Sequence, residues 1–186
     1  HLLAMNEIKT LANTLPSIGE IKANLLSHQH KLNERFQSGD GIEDLLEGRS
    51  DYIDHVLTDC WQSIIGIDLS GLSLVATGGY GRAELHPYSD IDLLIIFDEK
   101  LFEKHKSSLE LFSTFLWDIG LKPGLSVRTI EDCIEQAKDD ITVITNLMES
   151  RLITGSEPLF NEMKAQTSPE HIWPSVNFLH KKVENN

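Results

Sequence analysis

Apolar positions along this chain change their period several times, and each change marks an element. From Ser17 onward Ile18, Ile21, Leu25, Leu32 and Phe36 recur at helical spacing behind a Ser17/Glu20 capping box, which predicts a first helix ending at about Gln37. Ser38-Gly39-Asp40-Gly41 breaks it. Leu45, Leu46, Ile53, Val56, Leu57, Cys60, Trp61 and Ile64 predict a second, long helix whose apolar stripe needs a sheet to lie on; Arg49 and Asp54 on it are read as packing residues. The period then shortens. Leu72–Thr77, apolar and bounded by glycine, has the form of a buried strand, and Asp90–Phe97, after Pro87, forms a second. Within Glu99–Ile119 the residues Leu101, Phe102, Leu109, Phe112, Phe115, Leu116 and Trp117 return to helical spacing, and Gly120 stops the helix. Leu125–Arg128 is a third strand, Thr129 with Asp132 caps the helix after it, and Ile141–Thr154 forms a further helix closed by Gly155 and Pro158. A tail from Glu170 through Trp173-Pro174-Ser175 ends in one more helix. Strands interleaved with helices predict an α/β fold, a small mixed β-sheet flanked by helices with helical segments at both ends. The expected organisation is a flexible N-terminus or expression remnant over 1–16, N-terminal helices over 17–70, a sheet-bearing core over 71–155 and a C-terminal helical segment over 156–186.

Charge narrows the functional classes. With 29 acidic against 16 basic residues and a formal net charge of −13, the chain is poorly suited to gripping a nucleic acid backbone, and a protein acceptor is easier to reconcile. Its longest apolar run falls far short of a membrane span, and His1–Asn6 lacks the basic head and apolar centre of a signal peptide. Neither nucleic acid nor membrane is therefore expected as a partner. Cys60 and Cys133 are unpatterned and lie on predicted helices, which favours a reducing, cytoplasmic setting over a disulfide scaffold. Lys22, Lys31, Lys181 and Lys182 have the look of ordinary solvated charges.

The chemistry concentrates in Leu74–Phe97, LVATGGYGRAELHPYSDIDLLIIF. Gly78, Gly79 and Gly81 let the backbone turn sharply and approach a ligand, and phosphate oxygens are the natural ligand for N–H groups so exposed. Tyr80 continues that turn. Strand alternation turns Asp90 and Asp92 to one face and Ile91 to the other. Two carboxylates side by side repel and lose hydration, so a cation between them is expected, and Mg²⁺ on a nucleoside triphosphate fits best because it takes one or two carboxylates plus phosphates. A strand end with solvated acids is the alternative, and it needs the glycine pair and the run LLIIF to be coincidental. Arg82 is in reach of phosphate while Glu84 braces the loop, His86 shapes it, and Ser89 either bonds phosphate or caps the turn. Arg128 neutralises triphosphate charge or holds an aspartate, a surface ion pair being the competing assignment. Asp139 and Asp140 open a helix and are read as caps before ligands.

A glycine pair, a short gap and then Asp-apolar-Asp is the pattern of the DNA polymerase β-like nucleotidyltransferase superfamily. The string GGYGRAELHPYSDIDLL, followed by LWDIGL, SVRT, DDITVITNLMESRLITG and WPS between Ile42 and Val183, resembles more narrowly the N-terminal domain of the bacterial [protein-PII] uridylyltransferase / uridylyl-removing enzymes. Leu125 stands where that family leads us to expect histidine, Ala83 where glycine is usual, and Leu125–Thr129 carries no third acid. The resemblance implies a nucleotidyltransferase fold with residues 71–155 as its core, Mg²⁺ or Mn²⁺ held by Asp90 and Asp92, and a triphosphate on Gly78, Gly79, Tyr80, Gly81, Arg82, Ser89 and Arg128. It further implies transfer of UMP from UTP to a tyrosine hydroxyl of the PII signalling protein, with pyrophosphate released. Removal of UMP and glutamine sensing belong in that family to HD-type hydrolase and ACT domains beyond this chain, and none of the eight histidines here precedes an aspartate. Another nucleotide or acceptor, or a nucleotide-binding module without turnover, are the alternatives at this point.

Overall fold

A computed structural model describes residues 17–66 and 71–173; residues 1–16 and the helix expected beyond Trp173 lie outside them. Helix α1, Ile18–Gln37, and helix α2, Ile42–Ile64, are joined by the turn at Ser38–Asp40. The expected capping box at Ser17 does not form. Ser17 and Glu20 are both exposed and Ser17 makes no side-chain cap bond; only its carbonyl takes the Ile21 N–H, at 3.1 Å.

Four strands make one sheet in the order β3-β2-β1-β4. Strand β1, Leu72–Ala76, is buried throughout and pairs antiparallel with both β2, Ile91–Phe97, and β4, Arg151–Gly155. β3, Pro123–Arg128, runs parallel to β2. A parallel pair needs a crossover, which helix α4, Glu99–Asp118, supplies; Gly120 at φ +95° ends it. Between β1 and β2 the single turn α3, Gly78–Gly81, leads into a loop in which Ala83 and Tyr88 adopt φ +58° and +66°. Ala83 thus holds the left-handed conformation for which glycine is the cheaper residue.

Alternation along the central strands builds two cores. Leu72, Leu74 and Ala76 with Ile91, Leu93 and Ile95 face α2 and α4, where Trp61 meets Phe112 edge-on at 5.3 Å. Val75, Leu94 and Ile96 face the other way, onto Cys133, Leu147 and Met163. Those residues come from helices α5, Ile130–Asp139, α6, Ile141–Met148, and α7, Glu157–Gln166, after which α8, Pro169–Ile172, closes the described chain. Burial of each large apolar side chain contributes roughly 1.5–3 kcal/mol, so both faces are needed to hold so small a sheet. The chain is α/β, with a mixed sheet between helices.

The single helix expected over Ile141–Thr154 is instead a helix, a turn and a strand. α6 stops at Met148, Ser150 Oγ donates to the Leu147 carbonyl at 2.5 Å, and Lys164 Nζ donates to the carbonyls of Leu147 and Ser150 at 3.0 and 3.2 Å. Those bonds satisfy carbonyls that a continuing helix would have used. Arg151–Gly155 then completes the open edge of β1, and Gly155 ends a strand, not a helix: a Cβ on it would lie 2.5 Å from the Leu72 carbonyl oxygen. The Thr129/Asp132 box does form, with reciprocal bonds of 3.0 Å, and Asp140 caps α6 by accepting the Thr142 N–H at 2.8 Å.

Candidate active site

β1 delivers the chain to the glycine turn, and the Thr77 N–H donates to the Asp92 carbonyl at 3.1 Å, locking the turn to the start of β2. Strand β2 begins at Ile91, so Asp90 sits in the approach loop and Asp92 on the strand. Asp92 points toward the face shared by Leu94 and Ile96, and its register partners on β3 put Gly124, Ser126 and Arg128 on that same face. Its carboxylate lies in a slot between two glycines. A Cβ on Gly78, which adopts φ +58°, would come 2.8 Å from Asp92 Oδ2, and one on Gly124 would come 2.9 Å from Oδ1. Partial loss of water in this slot, and then the charge of Asp90, raise the Asp92 pKa. The two acids line one recess together with Gly79, Arg82 and Ser89.

On the far side of Asp92 a cavity of about 280 Å³ opens between the sheet and helices α5 and α6, lined by Thr77, Gly78, Ser126, Arg128, Gln136 and Asn146 among others. Arg128 Nη1 is buried there without a hydrogen-bond partner. Cys133 also faces this cavity, but burial pushes its thiol up to about 11, so it is no nucleophile at neutral pH.

The glycines divide by what surrounds them. Gly81 is packed: a Cβ on it would lie 2.9 Å from the carbonyl oxygens of both Ala76 and Glu149. Gly79 has room, its nearest neighbours being Glu84 O at 3.6 Å and Arg82 Nη2 at 3.8 Å. Tyr80 and Arg82 have side chains engaged elsewhere. The buried Tyr80 hydroxyl donates to Asp54, which also pairs with Arg151 Nη1, while Arg151 Nη2 donates to the Tyr80 carbonyl at 3.1 Å. Burial first, and then Asp54, drive the Tyr80 pKa far upward, so this phenol stays protonated. Arg82 donates to Glu149 at 2.8 Å and to Glu84 at 3.2 Å, tying the glycine loop to the α6–β4 turn. Ser89 and Asp90 are exposed at the mouth.

The donor set fits a hard divalent cation. Asp90 and Asp92 offer only oxygen, burial and the charge of Asp90 make Asp92 harder to ionise, and a cation between them removes that penalty while leaving positions for water and phosphate. Among the described residues no group of three or more His, Cys, Asp or Glu side chains is placed to hold a metal ion. β3 places Gly124 opposite Asp92 where a third acid would have to stand. Sequence reasoning passed over Gly124, although a glycine inside a strand marks a close approach. It also passed over the Asp54–Tyr80–Arg151 brace, whose members are far apart in the chain, over Gln136 and Asn146 on two helices that are expected as helices, and over Glu149, in a turn where a continuing helix is expected.

Comparison with known proteins gives this geometry its family. Residues 62–153, from the end of α2 into β4, match the family model of the nucleotidyltransferase domain. The chain carries a nucleotidyltransferase domain. Over 154 residues, 82% of the chain, it is 51% identical to the bifunctional uridylyltransferase/uridylyl-removing enzyme of Pseudomonas entomophila, and over 175 residues, 94% of the chain, it is 48% identical to that of Pseudomonas fluorescens Pf-5. These alignments take up 17% and 19% of the relatives, so the chain spans less than a fifth of their length. The nucleotidyltransferase domain therefore places its glycine turn and its acid pair at one strand end, with Arg128 further along the same sheet face in the cavity that Asp92 also lines, and no helix among its described residues is long and apolar enough to cross a membrane.

Proposed function

We propose that this nucleotidyltransferase domain moves a uridylyl group from UTP to a tyrosine hydroxyl of a PII-type signalling protein and releases pyrophosphate. The observation that carries the reading is the Asp92 carboxylate, held between Gly78 and Gly124 beside Asp90 at the entrance to the Arg128 cavity. The relatives are uridylyltransferase/uridylyl-removing enzymes, which supports uridylyl as the transferred group. Asp90 and Asp92 would hold Mg²⁺ or Mn²⁺, which supplies charge neutralisation on the triphosphate. The opening N–H groups of the Gly78–Gly81 turn, outside any intrahelical ladder, orient phosphate oxygens. Arg128 Nη1, unpartnered in its cavity, takes an oxyanion. With the triphosphate so fixed, the acceptor oxygen bonds to the α-phosphorus as the bond to the bridging oxygen breaks, and most of the acceleration comes from position and electrostatics. Ser89 lines the mouth by which the acceptor enters, while Tyr80 and Arg82 hold the loop in shape. The free, buried cysteines accord with a reducing cytoplasm.

The test is incubation of the chain with α-labelled UTP, Mg²⁺ and a purified PII protein, with Asp92→Asn in parallel. Metal-dependent label on PII, absent from a PII variant lacking the acceptor tyrosine, is the expected result. Equal labelling from ATP would shift the donor, and no labelling of PII by either the chain or the full-length enzyme would overturn the acceptor.

A further inference from the structure

We propose that the cavity enclosed by α1, α2 and the loops before β2 and β3 binds a small organic anion, its charged group against the Arg49 guanidinium and its apolar body on Leu25, Ile53 and Ile119. The cavity is about 250 Å³, and it lies on the Ile91 face of β2, opposite the acid pair. Its lining contains Lys22, Arg49 and Lys122 and no acidic residue. In a chain of net charge −13, three cations and no carboxylate around one small cavity is a local inversion of the surface.

Arg49 makes the inversion specific. It is 9% exposed, Nη1 donates to Gln29 Oε1 at 2.7 Å, and the buried Nε has no partner. Among the described residues the ion pairs are all made elsewhere, and none involves Arg49. A guanidinium in this state has lost water and gained one neutral acceptor, an arrangement that an incoming anion improves. Apart from Gln29, Tyr88 and Ser89 the remaining wall is aliphatic, with Leu26, Ile91 and Leu121 beside the three residues already named, so an anion with a hydrocarbon body gains more than a bare inorganic one. The Lys22 stem runs close to Gly120, where a Cβ would meet its carbons at 3.9 Å. Ser89 lines this cavity and the acid recess alike, so an occupant sits one residue from Asp90.

The experiment follows Arg Nε–Hε resonances of the ¹⁵N-labelled chain during titration with hexanoate, 1-hexanol and inorganic phosphate. Hexanoate is expected to move the resonance missing from Arg49→Gln, saturably and in the millimolar range or better, at least tenfold more tightly than either control. Followed at the Gly120 and Leu121 backbone amides, which line the same cavity and persist in every variant, Arg49→Gln should abolish hexanoate binding, and the exposed double variant Lys22→Gln/Lys122→Gln should weaken it severalfold with an unchanged melting temperature. If Arg49→Gln does not fold, the lysine pair decides. The proposal is overturned by no saturable shift, by 1-hexanol or phosphate matching hexanoate, or by hexanoate binding that the lysine variant leaves intact.

Discussion

Two regions meet at Ser89–Asp92 and carry opposite charge. On one side, Asp90 in the loop before β2 and Asp92 on it line the recess by the glycine turn, and Asp92 also lines the Arg128 cavity; on the other, Ile91 looks into the cavity of Arg49, Lys22 and Lys122. The period of two along a strand is enough to separate them. What the regions share is charge that the fold has partly stripped of water and left without an opposite partner, as the raised pKa of Asp92 and the unpartnered nitrogens of Arg49 and Arg128 record. Elsewhere the same residue types neutralise one another. Asp54 takes both Tyr80 and Arg151, and Arg82 takes Glu84 and Glu149. An internally paired charge braces the fold, and a desolvated unpaired one awaits a ligand.

The largest effect that sharpens this contrast is at Asp92. Asp92→Asn keeps the shape of the slot and removes the charge that a cation needs, so uridylyl transfer should fall by about a thousandfold or more. The fold should not suffer. The ionised form is the one that desolvation and Asp90 disfavour, so the melting temperature of the variant at neutral pH should equal or exceed that of the parent. Loss of stability in step with activity would make Asp92 a structural residue. Next in size is Arg128→Gln, expected to weaken UTP binding by about tenfold to a hundredfold in calorimetry, the worth of a charge-assisted bond to phosphate. Unchanged affinity would remove Arg128 from the triphosphate and leave its buried Nη1 unexplained.

Tyr80→Phe should behave in the opposite way. Its hydroxyl is buried on Asp54, so denaturant unfolding should show a loss of about 1–3 kcal/mol, with transfer by the folded protein little changed. A large drop in transfer at unchanged stability would return Tyr80 to the nucleotide.

How far these assignments were visible in the sequence follows the range of the interactions. The acid pair, the glycine turn, helix α4 with its glycine stop and the Thr129/Asp132 cap all depend on neighbours in the chain, and their spacing announces them. β4 was hidden, because Arg151–Gly155 follows α6 with only a two-residue turn between, and its apolar residues continue a helical count by chance; only the open edge of β1 makes it a strand. The Gly124 slot, the brace at Asp54 and the cluster of Lys22, Arg49 and Lys122 join residues from separate elements, so no local pattern reports them. Arg49 and Lys22 each looked ordinary alone, as a packing residue and a solvated charge.

The smallest expected effect separates two adjacent glycines. Gly78 is fixed by the protein: its φ of +58° and the 2.8 Å approach to Asp92 Oδ2 mean that Gly78→Ala should cost about 1–2 kcal/mol of stability and disturb the acid besides. Gly79 is not. A Cβ there meets only Glu84 O at 3.6 Å and Arg82 Nη2 at 3.8 Å, ordinary contacts, and alanine suits a helical turn better than glycine, so Gly79→Ala should leave stability within about 1 kcal/mol of the parent. If the backbone of Gly79 lies against a triphosphate, its new methyl should nevertheless lower UTP affinity severalfold, and Gly79→Val should abolish binding in the same calorimetric titration. Affinity unaltered in both variants would make Gly79 a turn residue and shift the phosphate contacts to Gly78 and Arg128.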